Sequence, residues 1–117
     1  MSTSTALRLH NVFASGGFRN KPAAMVGYSA GPVGGARAVE HLAHVLIEAE
    51  AGPLRNAVLI GRVQDAFDGG EPVDPMTGHA LRIALDDLAW WASALAVARS
   101  DGELPPASQR PAPTPVG

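Results

Sequence analysis

Three groups of residues in this chain have the types and spacing that chemistry needs. Gly27-Tyr28-Ser29-Ala30-Gly31 follows G-x-S-x-G, the pattern that sets a serine nucleophile on a strand-to-helix turn, with His79 downstream as its base. This serine hydrolase reading is the remote one. Pro32 to Gly35 separate Ser29 from the helical pattern that follows, and no H-G-G-G segment precedes it to form an oxyanion hole. His41 and His44, flanked by Glu40 and Glu48, have helical spacing for a shared metal ion. Glu40–His44 and His44–Glu48 are also ordinary i, i+4 pairs on a solvated helix, which accounts for them better, so no metal site is expected. The third group is the glycine-rich stretch Ser29-Ala-Gly-Pro-Val-Gly-Gly35. Between a parallel strand and a helix, such a turn brings backbone N–H groups close to a ligand. Ser29, Ala30, Gly31, Gly34 and Gly35 then lie beyond the carboxyl end of a strand, where open α/β sheets bind cofactors. The same glycines equally suit a loop that only has to turn tightly.

The elements that must position these residues follow from the hydrophobic pattern. Pro22 to Ser29 is a short apolar run without alternation, which predicts a buried strand of a parallel sheet. After the glycine loop, Ala36, Val39, Leu42, Ala43, Leu46 and Ile47 share one helical face, and Gly52-Pro53 is expected to stop that helix. Ala57 to Ile60 predicts a second buried strand, and Gly61 to Gly78 a long loop. Thr77 is expected to cap a helix reaching about Arg99, with its main stripe through Leu81, Leu85, Leu88, Ala92 and Leu95. Ile83, Trp90 and Val97 form a second apolar set nearly opposite, which points to a homo-oligomer contact. Residues 1–20 are expected to form a lead-in, a short helix or irregular. Residues 101–117 hold half of the ten prolines and are expected to be a disordered tail. The order is βαβα, an α/β unit with right-handed parallel pairing. Two strands are few for a parallel sheet, so a partner or further chain should supply more.

Composition narrows the function classes. The 117 residues are 46% hydrophobic and 17% charged, which is globular composition. Net charge is −2 and Lys21 is the one lysine, so the chain lacks the basic footprint of a nucleic-acid binder. Cysteine is absent, which removes disulfides and thiolate chemistry together. No apolar run approaches a membrane span and no signal-peptide pattern opens the sequence, so a cytoplasmic setting is expected.

The stretch Lys21-Pro22-Ala-Ala-Met-Val-Gly-Tyr-Ser-Ala-Gly-Pro-Val-Gly-Gly-Ala-Arg-Ala-Val-Glu-His-Leu42 resembles the NADPH-dependent FMN reductase family. There, a strand of the form K-P-V-x-x-V-x-x-S precedes a G-x-x-G-G-x-R-A-x-x-x-L segment. Gln64-Asp-Ala-Phe67-Asp68, with Asp74 beyond it, is similar to the family's A-F-D-x-x-G-x-x-x-D loop, and Asp87 to Ala92 looks like its closing helix. The resemblance covers residues 21 to about 99. It implies a flavodoxin-like parallel sheet, here incomplete, with about two strands and two long helices. Residues 21–100 would be the C-terminal part of that domain, and Ala6 to Asn11 would be the end of a preceding helix.

The resemblance implies an oxidoreductase, a flavoprotein that passes hydride from NAD(P)H through bound FMN to a quinone, a flavin or a similar acceptor. Ser29, Ala30 and Gly31 would lie beside the isoalloxazine ring, and Gly34 and Gly35 would close the turn into the helix. Arg37 would serve packing or oligomer contacts. No protein side chain is assigned a catalytic role, because the hydride chemistry belongs to the flavin. The family's G-S-x-R-x-x-S phosphate loop and its P-E-Y-N loop do not occur in the 117 residues. A truncated form with little activity alone is therefore expected, and a non-catalytic remnant or interaction module is the alternative. Gly61-Arg62 also departs from the family, which tends to have an apolar, proline-containing strand end there.

Overall fold

The computed structural model describes residues 16–116. The expectation for residues 1–15, including the helix end at Ala6 to Asn11, lies outside them. The architecture is α/β, with parallel strand pairs and two helices, as expected.

Each expected strand is present but interrupted. The first divides into β1 (Pro22–Ala23) and β2 (Val26–Tyr28), and the second into β3 (Gly52–Pro53) and β4 (Val58–Ile60). β1 pairs parallel with β3 and β2 parallel with β4. Between the pairs the register slips by two residues, since Ala23 faces Pro53 but Val26 faces Val58. The extra residues sit at Leu54 to Ala57 and include a local bond from Ala57 N–H to Arg55 O. Pro53 is tolerated because the N–H groups used across this pair belong to Gly52 and Leu54, which donate to Lys21 O and Ala23 O.

Gly52-Pro53 therefore begins a strand rather than ending a helix. The first helix, α1 (Ala36–Glu48), stops earlier. Ala49 closes it and Glu50 takes a left-handed φ of 58°, which turns the chain back toward β3. The second helix, α2 (Pro75–Asp101), starts three residues before the expected one. Asp74, not Thr77, is the N-cap, and its carboxylate accepts from Met76 N–H at 2.9 Å. Pro75 at the first helical position loses nothing, because its missing N–H would be unpaired there anyway.

The region 61–78 is more ordered than a long loop. It contains a 3-10 turn at Val63–Asp65 and a hairpin of β5 (Phe67–Asp68) with β6 (Glu71–Pro72). Gly69-Gly70 makes the two-residue turn, both with positive φ.

The core of the described residues is formed by the buried side chains of Met25, Leu46, Val58 and Ala84. α1 packs on β2 and β3, and α2 on β4 and β1. β2 is not the doubly covered strand expected: Val26 and Tyr28 are exposed, Tyr28 by 70%. Its one described neighbour is β4, and α2 lies over β4 and β1 instead. The buried line of α2 runs through Ala84, with Ala80, Leu88, Ala92 and Leu95 half-buried. Leu81 and Leu85, expected in the main stripe, are exposed because each lies about 100° around the helix from the residue that takes its place inward. Ile83, Trp90 and Val97 are exposed as well.

The proline-rich segment beyond α2, expected to be disordered, has tertiary contacts at its start. Leu104 O accepts from Asn20 Nδ2 at 2.8 Å, and Ala107 N–H donates to Glu50 Oε1 at 3.3 Å. Pro106 is buried and a 3-10 turn follows at Ala107–Gln109. Proline loses little conformational entropy on ordering, so a few contacts suffice to hold such a segment.

Candidate functional site

The sequence-expected site residues come together in one loop, Ser29 to Gly35, between β2 and α1. Gly34 and Gly35 have φ of 69° and 76°, the left-handed region that costs an L side chain about 1–2 kcal/mol. Space forbids a side chain there too. A Cβ on Gly34 would stand 2.9 Å from Ile60 N and from the Leu59 carbonyl carbon, and one on Gly35 3.0 Å from Tyr28 O. These two glycines let the chain turn tightly against β2 and β4 and enter α1, whose N-cap is Gly35.

Gly31 has a different reason for being glycine. Its φ is not left-handed and a Cβ there would meet nothing within 4 Å. Neither backbone conformation nor packing of the described residues requires glycine at 31. What glycine provides is an open backbone surface, with Ala30 beside it exposed.

Ser29 is half-buried and acts within the loop. Its hydroxyl donates to Gly31 O and accepts from Gly34 N–H, both at 2.9 Å. Among the described residues no other group bonds it, and His79 is an exposed residue near the start of α2. A nucleophilic serine needs its proton directed at a base. Here that proton is directed at a backbone carbonyl, so Ser29 is built as a loop brace. His41 and His44 are exposed on α1 with Glu40 and Glu48, and no metal-holding group of three or more His, Cys, Asp or Glu exists among the described residues.

Sequence reasoning missed the second half of the site, the turn at residues 61–64. Arg62 N–H donates to Gly31 O at 2.8 Å, Val63 N–H to Ser29 O at 3.0 Å, and Gln64 Nε2 to Ala30 O at 3.3 Å. Three consecutive carbonyls of the glycine loop are thus bound by three consecutive residues of the turn. Arg62 adopts φ 47° to make this possible, a left-handed conformation uncommon for a side chain without special local bonding. Only the unusual Gly61-Arg62 pair hinted at this in the sequence. Ser29 N–H bonds Ile60 O, but the N–H groups of Ala30 and Gly31 have no partner among the described residues. The loop therefore turns its acceptors inward and presents two donors that have no partner among the described residues. A depression of about 280 Å³ beside it is lined by Leu59, Gly61, Arg62, Asp65, Asp74 and Thr77, among others.

In open α/β sheets, ligands bind in the crevice beyond the carboxyl ends of the strands, which is where the backbone-lined loop Ser29 to Gly35 lies. The family comparison is specific: residues 5–65 match the model of the NADPH-dependent FMN reductase family, and the chain belongs to that family. An NAD(P)H-dependent FMN reductase of Pseudomonas aeruginosa is 38% identical over 76 residues, covering 63% of this chain. The chain spans 41% of the length of that relative. The glycine loop and its bracing turn both fall within the family match, whereas α2 lies beyond it.

Proposed function

We propose that the chain contributes the flavin-facing loop of an NAD(P)H-dependent FMN reductase, with Ser29, Ala30, Gly31, Gly34 and Gly35 as the cofactor-contacting segment. The observation that carries this reading is Gly31: a glycine that the described fold does not require, on an open surface where its own N–H and that of Ala30 have no partner among the described residues. A planar ring can lie against such a backbone, and its acceptor atoms can meet the free donors. Gly34 and Gly35 hold the turn, and Ser29 braces it from within. The flavin, when bound, supplies the hydride relay from NAD(P)H to a quinone, a flavin or a similar acceptor. The protein residues would bind and orient it, and the backbone N–H groups of Ala30 and Gly31 would serve as hydrogen-bond donors to it.

Titration of the purified chain with FMN tests the reading, followed by flavin fluorescence. Saturable binding at micromolar FMN is expected to be abolished in Gly31→Val with the fold intact. Absence of binding up to millimolar FMN in folded protein would leave a non-catalytic remnant or interaction module as the reading.

The same proposal includes a homo-oligomer through α2. Trp90 and Val97 are exposed by 69% and 64%, with Ile83 on the same side, and Ala89, Ser93 and Ala94 leave a shallow groove between them. Burying such side chains against a second copy would stabilise each by about 1.5–3 kcal/mol. Sedimentation of wild type against Trp90→Glu reads this directly. A cytoplasmic setting belongs to the proposal too; no helix of the described residues is long and apolar enough to cross a membrane.

A further inference from the structure

We infer that Gln64 is a positioning residue, which locks the Ala30–Gly31 peptide so that its N–H faces outward toward a hydrogen-bond acceptor on the ligand. This inference rests on the reading of the loop as a cofactor site. In a trans peptide the C=O of one residue and the N–H of the next point in opposite directions. Holding Ala30 O therefore aims Gly31 N–H the other way. Gln64 Nε2 holds Ala30 O at 3.3 Å, and Gly31 N–H has no partner among the described residues.

A lock is needed at this peptide more than at its neighbours. Ser29 O and Gly31 O are held by the backbone N–H groups of Val63 and Arg62, which no side-chain substitution removes. Ala30 O is held by a side chain alone. The residue after this peptide is glycine, whose freedom at positive φ permits the peptide to flip and present its carbonyl instead. A Cβ at 31 would oppose that flip; glycine has none, and with nothing within 4 Å of that position no neighbour among the described residues blocks it. The chain thus combines a flippable peptide with one side chain that selects one of its two orientations. An outward N–H donates to an electron-rich ligand edge, and an outward C=O repels it. Gln64 is exposed, so its replacement should leave the core untouched.

The test compares wild type with Gln64→Ala and Gln64→Glu in the full chain. NMR of the FMN-free protein follows the Gly31 amide shift, its HN–Hα couplings and the Ala30 carbonyl shift, and FMN titration follows affinity. The expected result is a moved or exchange-broadened Gly31 amide in both variants, with FMN affinity falling about tenfold, the loss typical of one misdirected hydrogen bond. Gln64→Glu should fall further than Gln64→Ala, because a carboxylate beside Ala30 O repels it. Unchanged Gly31 signals overturn the inference whatever the affinity does, since a drop alone would mean that Gln64 touches the ligand itself. Unchanged FMN affinity with moved signals also overturns it. If wild type binds no FMN while the variants free the peptide, the lock stands and the flavin reading falls.

Discussion

The two ends of the parallel strands are held by opposite means. At the carboxyl end the chain is fixed mainly by its own backbone: Arg62, Val63 and Ser29 use main-chain N–H groups, and Gly34 and Gly35 allow the approach. At the amino end the fixing groups are mainly side chains. Arg99 Nη1 donates to Asn20 O at 2.8 Å, Asn20 Nδ2 to Leu104 O, and Glu50 accepts from Ala107 N–H. Backbone fixing leaves a bare surface and surplus donors, which is what a ligand needs. Side-chain fixing covers the surface and uses its donors, which is what a chain end needs. The difference is independent support, without reference to any cavity, for the proposed placement of the cofactor at the carboxyl end.

The sharpest way to break this contrast is at Gly34. Gly34→Val forces a Cβ against Leu59 and Ile60 and a side chain into left-handed φ, and should lose about 2–4 kcal/mol in urea unfolding. In a chain with so small a core that is expected to abolish the folded state at 37 °C. Arg99→Ala attacks the other end, removing a partly buried charged bond, and should lose about 1–2 kcal/mol while leaving FMN affinity unchanged. Ser29→Ala leaves Gly34 N–H without its acceptor and should lose about 1 kcal/mol, with weaker FMN binding as the loop loosens. Gly31→Ala is the smallest in stability, within about 0.5 kcal/mol of wild type, yet should weaken FMN at least tenfold. A large stability loss at Gly31 would mean that the fold, not the ligand, requires that glycine.

The same contrast explains what the sequence disclosed. Gly34-Gly35 between an apolar run and a helical pattern announces a backbone-built turn, because glycine is the residue such a turn needs. The parallel βαβα order was legible for the same reason, since periodicity and turn residues are local signals. The clasp of Asn20, Glu50, Arg99 and Leu104 was not, because each is an unremarkable residue far in sequence from its partners. Nor was the turn at 61–64. Left-handed φ at Arg62 is imposed by the bonds to Gly31 and Ser29, not by arginine's own preference. The helix start at Asp74 rather than Thr77 was readable from Asp-Pro, a cap followed by a proline, and Thr77 was simply the wrong choice of cap.

The interrupted strands have a kinetic consequence. β1–β3 and β2–β4 both close the crossover that contains α1. Bringing together the ends of roughly 28 residues costs loop entropy of order (3/2)RT ln n once, when the first pair forms. The second pair then closes only the few residues of the slip. Whichever pair forms first leaves the other only a short loop to close, which is fast, so neither is expected to persist alone. Native-state hydrogen exchange should therefore find the amides of Leu54 and Val58, one from each pair, opening in a single cooperative event.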